Sequence, residues 1–335
     1  MKAIVLNNIE DNYRLAVEEV PTPVAGEGDV IVKLKAAALN RRDVMIASGS
    51  YPGTEVPKII GSDGAGEVVA VGDGVADVSV GDEIIINPGL NWGDNPKVKS
   101  ADFTILGMPY DGTFAEFVKI PVENVYPKPQ HLTWEEAAAL PLSGLTGYRA
   151  LITKGKVQAN ENVFIPGAGG GVATYLIQFA KALGANVYVS SSQQEKLDFA
   201  LKLGAQAGVN YKDADWENEL LNQSQGIDLT IDSIGGESFK SFINIGKLGS
   251  RIVSFGATRG PVPNLLLPTM TLKEMTLLGS TMGSPDDFKD MIDLVEQHQI
   301  KPVIGARYNL GETPKALEAL SNGENFGKIV IRISE

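Results

Sequence analysis

Side chains able to do covalent or metal chemistry are scarce in this chain. Its 335 residues include no cysteine and only two histidines, His131 and His298. Thiolate nucleophiles, disulfides and cysteine-bearing metal sites are therefore excluded. His131 follows Pro129 in a loop and His298 lies near a helix end, so both read as surface or capping residues rather than ligands. What the sequence offers instead is backbone suited to an anion. In "NVFIPGAGGGVATYLIQFAKALGA", Asn162 to Ala185, an apolar run meets a block of glycines and an amphipathic stretch follows at once. Val172, Leu176, Phe179 and Leu183 have helical spacing, so the glycines open a helix. Glycines there let the backbone approach a pyrophosphate, and the helix N-terminus presents free N–H donors at the positive end of its dipole. A second glycine-rich string, "GSDGAGEVVAVGDG" from Gly61 to Gly74, runs into an alternating strand instead. No helix N-terminus follows it to meet a phosphate, and it reads as turns and a bulge.

The end of the next strand decides the ligand class. A ribose 2′-hydroxyl is usually bound by an acid about twenty residues on. Here that stretch is "SSSQQEK", Ser190 to Lys196, with no acid at the strand end. Serine hydroxyls and a lysine suit a 2′-phosphate, which points to NADP(H). The spacing of Ser192 and Glu195 is also that of a capping box, and Lys196 also suits a solvated helix face, so a structural use of these residues stays open. A methyltransferase binding S-adenosylmethionine would share the glycine turn. It too commonly needs an acid at this strand end, and the serines count against it.

These residues need elements to hold them. At this length two domains are expected. The first part is β-rich: "KAIVL", "DVIVKLKAAAL", "AGEVVAVG", "DEIIINP" and "TFAEFVKIP" are short and separated by Gly, Pro and Asp turns. One long loop, "NPGLNWGDNPKVKSADFTILG", interrupts them, and loops of that length are usually functional or relics of function. From about Pro127 the period changes. "HLTWEEAAAL" opens a helix with Thr133 and Glu136 spaced as a capping box, and strands then alternate with helices as far as "SRIVSFGA". Repeated βα units imply a doubly wound parallel sheet. Helices with early prolines at Ser284-Pro285 and Thr313-Pro314 follow, and "GKIVIRI" closes on a strand.

Composition narrows the partners. A net charge of −12 argues against nucleic acid and against an anionic membrane surface. No apolar run approaches the roughly 18 residues of a membrane span. "MKAIVLNNIEDNYRLAV" has no apolar core before its polar break, so no signal peptide is expected. A cytoplasmic enzyme or binding protein fits.

Taken in order, "AALNRRDVMIASGSYP", "GSDGAGEVVAVG", "LPLSGLTGYRAL", "GAGGGVA", "DSIGGESF" and "FGKIVI" resemble the medium-chain dehydrogenase/reductase superfamily over nearly the whole chain. The likeness is greatest to its zinc-free quinone oxidoreductase and alcohol dehydrogenase-like branch. The resemblance implies an α/β fold: a GroES-like β-rich catalytic domain over 1–125 and 266–335, and a Rossmann doubly wound parallel sheet over 126–265. It places Ala168, Gly170, Gly171 and Val172 in the phosphate turn, with Ala173 replacing the family's usual last glycine. Ser191, Ser192, Lys196 and Tyr211 fall at the 2′-phosphate. Thr146, Ser233, Phe255, Gly279 and Ser280 fall on the nicotinamide half, where each also suits a turn or cap. Zinc-bearing relatives carry a cysteine at Asn40 and a histidine at Ser62, and they bind a structural zinc in the lobe that corresponds to 87–107. This chain keeps the lobe without its metal ligands, so no metal is expected. The family commonly pairs Rossmann sheets edge to edge, which implies a homo-oligomer, dimer or tetramer.

Losing zinc removes the Lewis acid that helps a simple alcohol lose its proton. Hydride donation to a conjugated carbonyl is less demanding, because charge delocalises and a few hydrogen-bond donors stabilise it. The expectation is therefore NADPH-dependent reduction of a quinone or α,β-unsaturated carbonyl. Asn40 is the candidate donor to the reacting carbonyl and nicotinamide ribose. Asp43 fixes the loop that carries it, and Tyr51 is either a pocket wall, a proton donor or simply packed. A zinc-free alcohol dehydrogenase-like enzyme, or an NADPH-binding protein with little turnover, are the alternatives.

Overall fold

The computed structural model describes residues 1–8, 15–323 and 326–334. The chain forms two compact units, Met1–Ser143 with Ser284–Glu335, and Gly144–Gly283.

The first unit is built around the strand Asp29–Ala38. One face is apolar along its length, Val30, Val32 and Leu34 joining a buried cluster with Val68, Ile84 and Ile120, while the other carries Lys33 and Lys35 and then Ala37, which joins a second cluster with Ile4, Ile46, Phe114 and Ile331. A strand buried over most of its length belongs at the centre of a sheet. It pairs antiparallel with Asp63–Val71, Phe117–Pro121 and Lys328–Arg332. The pairing with Asp63–Val71 shifts register twice, and a Cβ on Gly66 would lie 2.2 Å from the Lys33 carbonyl oxygen. Gly61–Gly74 is thus a bulged strand, as its alternation implies. Registers of Ala38 with Asp63 and with Val330 bring Asn40, Asp63 and Lys328 to one end of the sheet.

The lobe at 87–107 has a core of its own. Gly89–Leu90 pairs with Thr104–Ile105, and the buried Trp92 meets Phe103 edge to face at 5.2 Å. Aromatic packing holds together a loop that contains no cysteine or histidine.

In the second unit, strands β1 (Asn162–Pro166), β2 (Asn186–Ser191), β3 (Ala207–Asn210), β4 (Ile227–Asp232), β5 (Gly246–Ser254) and β6 (Thr276–Gly279) form a parallel sheet. Among the described residues its order is β3-β2-β1-β4-β5-β6. The order reverses between β1 and β4, the switch point beside which α/β sheets bind ligands at the strands' carboxyl ends. Helix α1 (Gly171–Ala182) follows β1, and α2 (Gln194–Leu203) follows β2.

The unit boundaries fall further along than 125/126 and 265/266. Val125–Pro127 pairs with Glu83–Ile86, and the helix Trp134–Ala139 packs on Asp29–Ala38, which keeps 126–143 with the first unit. Thr276–Gly279 extends the parallel sheet and keeps 266–283 with the second. Pairing across a sheet, not the local change of period, sets the division.

Candidate active site

In the parallel-sheet unit the candidate cofactor residues gather past the strands' carboxyl ends. After β1, Gly167 turns with φ of +81°, and the N–H groups of Gly167 and Ala168 bond to the Ser190 carbonyl. The first bond within α1 runs from Thr174 N–H to the Gly170 carbonyl. The N–H groups of Gly171, Val172 and Ala173 precede it and have no helical acceptor. A Cβ on Gly170 would find only the Gly167 carbonyl oxygen, at 3.7 Å, so the protein itself leaves space there. A Cβ on Gly169 would come within 2.5 Å of Lys196 Cδ, so the Lys196 stem crosses directly over the turn.

Ser191 closes β2 and Ser192 follows it, and Ser191 Oγ accepts from the Gln193 N–H at 3.2 Å. The N-cap of α2 is Gln193, so Ser192 and Glu195 do not form the capping box their spacing allows. Tyr211 follows β3, its N–H bonded to the Ser191 carbonyl, with the Arg259 guanidinium 5.7 Å from its ring centre. Ser233 follows β4, Phe255 follows β5, and Gly279 and Ser280 end β6. These three strand ends are level, Asp232 opposite Ser254 and Ser254 opposite Gly279. Burial pushes the Asp232 carboxyl up, against hydrogen bonds from the Ile234 and Gly235 N–H groups that hold the turn. Ser280 Oγ is buried without a partner, and a Cβ on Gly279 would meet nothing within 4 Å. Thr146 is buried, its Oγ1 3.9 Å from Met282 Sδ. Free helix N–H groups, an open cradle and an orphaned hydroxyl all fit a dinucleotide.

In the β-rich unit a buried polar cluster surrounds Asn40. Asn40 caps the helix Arg41–Ala47 reciprocally with Asp43, whose Oδ2 accepts the Asn40 N–H at 2.7 Å. Asn40 Nδ2 donates to Asp63 Oδ2 at 2.8 Å, and Asn40 Oδ1 accepts from Lys328 Nζ at 2.7 Å and Ser143 Oγ at 3.2 Å. Lys328 Nζ also donates to Asp63 Oδ2 at 3.0 Å and Ser143 Oγ at 3.2 Å. Asp63 Oδ1 accepts the Leu142 N–H at 2.8 Å. Beside this cluster Arg42 Nη1 donates to Ser62 Oγ and to the Leu106 carbonyl. Tyr51 packs on the core with the Arg42 guanidinium 4.8 Å from its ring centre, and among the described residues no hydrogen bond ties it to Asn40. The Tyr51 position suits a wall better than a proton donor. His131 bonds the Ile300 carbonyl and His298 caps a helix, so neither histidine joins the cluster.

Known proteins share this architecture. A family model described as alcohol dehydrogenase GroES-like domain matches residues 26–130, and one described as zinc-binding dehydrogenase matches 171–297. The zinc-type alcohol dehydrogenase-like protein YogA of Leptosphaeria maculans is 35% identical, covering 96% of this chain and 95% of its own. The chain belongs to the medium-chain dehydrogenase/reductase superfamily. A crystal structure of an NAD-dependent alcohol dehydrogenase, 35% identical, covers 100% of both chains with a TM-score of 0.95. An acryloyl-coenzyme A reductase of Sulfurisphaera tokodaii is 29% identical over 99% of this chain and 100% of its own. The fold is therefore a GroES-like domain with a Rossmann domain, the protein is an oxidoreductase, and nicotinamide cofactor binding is expected of the family.

Zinc does not fit the residues present. Where zinc-bearing members carry cysteine and histidine, this chain has Asn40 and Ser62, and both are bonded to side-chain cations, Lys328 and Arg42. Among the described residues no group of three or more His, Cys, Asp or Glu is placed to hold a metal. Zinc prefers thiolate and imidazole, and an ammonium among its ligands would repel it.

Asp63, Ser143 and Lys328 were not singled out by residue type. All three lie in quoted motifs, and Lys328 carries the one available signal: a lysine heading an otherwise apolar strand, "KIVIR".

Proposed function

We propose that this protein is an NADPH-dependent, zinc-independent reductase of a quinone or an α,β-unsaturated carbonyl. The observation that carries the proposal is the Asn40 carboxamide. One Nδ2 hydrogen is bonded to Asp63, and the other makes no hydrogen bond to any described residue. A fixed, buried N–H donor suits an oxygen on which negative charge grows. When bound, the reduced nicotinamide supplies a hydride to the acceptor's β-carbon. The π electrons move to oxygen, Asn40 Nδ2 donates a hydrogen bond to that oxygen, and water then protonates the resulting enolate at its α-carbon, leaving hydroxide. Asp43 holds the helix start that carries Asn40. The acryloyl-coenzyme A reductase relative acts, by its name, on a conjugated carbonyl of this class.

Alcohol dehydrogenation is the second reading, favoured by the likeness to the NAD-dependent alcohol dehydrogenase structure. It needs a group to take the hydroxyl proton. In the Asn40 cluster Asp63 already accepts from Asn40 Nδ2, Lys328 and the Leu142 N–H, and Asp43, whose Oδ1 has no partner, is fully buried, away from a bound alcohol. NADPH is preferred over NADH in this reading because Ser191, Ser192, Lys196 and Tyr211 surround a strand end that has no acid. We further propose that β6, the sheet's edge, pairs with β6 of a second copy.

Absorbance at the reduced-nicotinamide band tests the reading, using NADPH or NADH with quinones, enones, aldehydes and alcohols. Turnover with conjugated acceptors, preference for NADPH and insensitivity to chelators are expected. Activity confined to alcohols, or restored after chelation by zinc alone, would refute it. Binding without turnover would leave an NADPH-binding protein.

A further inference from the structure

One charged side chain in the Asn40 cluster has no role in the chemistry above. Lys328 is 2% exposed and its partner Asp63 is 0% exposed. Burying such a pair costs several kcal/mol per ion in lost hydration, and an apolar replacement of the whole pair is often neutral or stabilising. Stability alone is therefore a weak reason to have it. An ammonium has three hydrogens, and Lys328 directs them at Asn40 Oδ1, Asp63 Oδ2 and Ser143 Oγ. None remains for a ligand, so Lys328 does not itself act as an acid.

Its effect falls on the orientation of a neighbour. A carboxamide is nearly symmetric in shape, and its two orientations differ only by what its oxygen and nitrogen meet. With Lys328 Nζ 2.7 Å from Oδ1, turning the Asn40 amide over would set an NH₂ group against an ammonium. Ser143 Oγ, which donates to the same oxygen, would lose its acceptor as well. Asp63 favours the same orientation from the other side by accepting from Nδ2. Three residues far apart in sequence thus impose one choice on Asn40. The amide shows its nitrogen, and one N–H stays unspent.

We propose that Lys328 is a positioning residue that takes the place of a metal: a fixed internal cation that locks Asn40 as a donor at the reacting carbonyl. The proposal rests on the conjugated-acceptor reading and extends it to a residue that never touches the substrate. Because Asp63 balances the charge of Lys328, the contribution is geometric, through the amide, more than through net charge.

The test uses Lys328→Met with Asp63→Asn, a neutral pair of similar volume that avoids leaving a buried carboxylate alone. The variant is expected to keep its melting transition and its NADPH affinity. Its kcat on the best conjugated acceptor should fall about 100-fold, the scale of losing one oxyanion donor, with KM changed less. Lys328→Ala should regain at least about tenfold in kcat with added methylammonium, which refills the site without restoring the stem. An independent readout is the Asn40 side-chain amide by nitrogen NMR. Its two hydrogens should be distinct and slow to exchange in the wild type, and averaged in the neutral pair. A folded double variant with kcat within about threefold of wild type and an unchanged Asn40 signal would overturn the proposal. If the wild type reduces no conjugated acceptor, the functional reading fails, while the NMR comparison still decides the role of Lys328.

Discussion

Asp43 shows how one side chain can be structural and strained by its own charge. Oδ2 accepts the Asn40 N–H, while Oδ1 is equally buried and has no partner. Burial raises its carboxyl to about 6, more than Arg42 and the Asn40 hydrogen bond lower it, and the neighbouring Asp63 raises it further. In the unfolded chain the proton leaves near 3.8, the ordinary value. Between these two values the folded state binds the proton and the unfolded state does not. Stability is therefore greatest below pH 3.8 for this group, falls as pH rises, and is lost by about pH 6, by about 3 kcal/mol in all. Asp43→Asn keeps an acceptor for the Asn40 N–H and removes the titration. Urea unfolding from pH 4 to pH 7 should show this slope in the wild type and not in the variant. Parallel profiles would show that Asp43 is not held protonated. The sequence exposed Asn40 by its place where zinc-bearing members of the family carry cysteine, and Asp43 as the side chain that fixes its loop. It did not expose the pairing of Asp63 with Lys328, because the two are 265 residues apart and a lysine heading an apolar strand does not say which carboxylate it meets.

At the scale of elements, the Rossmann half was legible from alternation alone, and the capping box at Thr133 formed as spaced. Short exposed strands escaped, Leu15–Glu19 and Ile304–Asn309 among them, because half-solvated edges carry no apolar pattern. The junction of β2 and α2 was only partly legible. The helix is capped at Gln193 and starts at Gln194, which leaves Ser192 outside the cap and sets Lys196 in the first turn, its stem over Gly169. That placement removes the capping-box use of Ser192 and Glu195 and leaves both the proposed phosphate role and a structural role for Lys196 to be tested. A charged hydrogen bond is worth roughly 1.5–3 kcal/mol, about one to two powers of ten in affinity. Lys196→Ala should weaken NADPH by that much in a fluorescence titration and leave NADH nearly unchanged. Equal losses for both cofactors would reduce Lys196 to a support for the turn.

For the whole molecule the open question is what covers the sheet's edge. Among the described residues β6 pairs only with β5, and the apolar Leu277 on it is 44% exposed. Leu267 and Leu272 on the preceding helix are 59% and 82% exposed. Edge strands left apolar invite pairing, and single-chain proteins usually blunt them with charge or proline. Light scattering coupled to gel filtration should give the mass of two or four chains, and Leu277→Lys should lower it without loss of dinucleotide binding. A single-chain mass for the wild type at micromolar concentration would remove this edge as an interface.

The cluster around Asn40 also ties function to the order of synthesis. Lys328 and Asn40 are 288 residues apart, and the strand that begins with Lys328 enters the sheet directly beside Asp29–Ala38. A chain emerging from the ribosome displays Asn40 and Asp63 long before their cation exists. Until then Asp63 has no counter-charge, and closing the sheet over it would bury a lone carboxylate, at a cost of several kcal/mol. The N-terminal sheet is therefore discouraged from sealing early. The Asn40 cluster is completed in the same event that docks the strand Lys328–Arg332, so a nascent chain cannot assemble it before that strand has emerged.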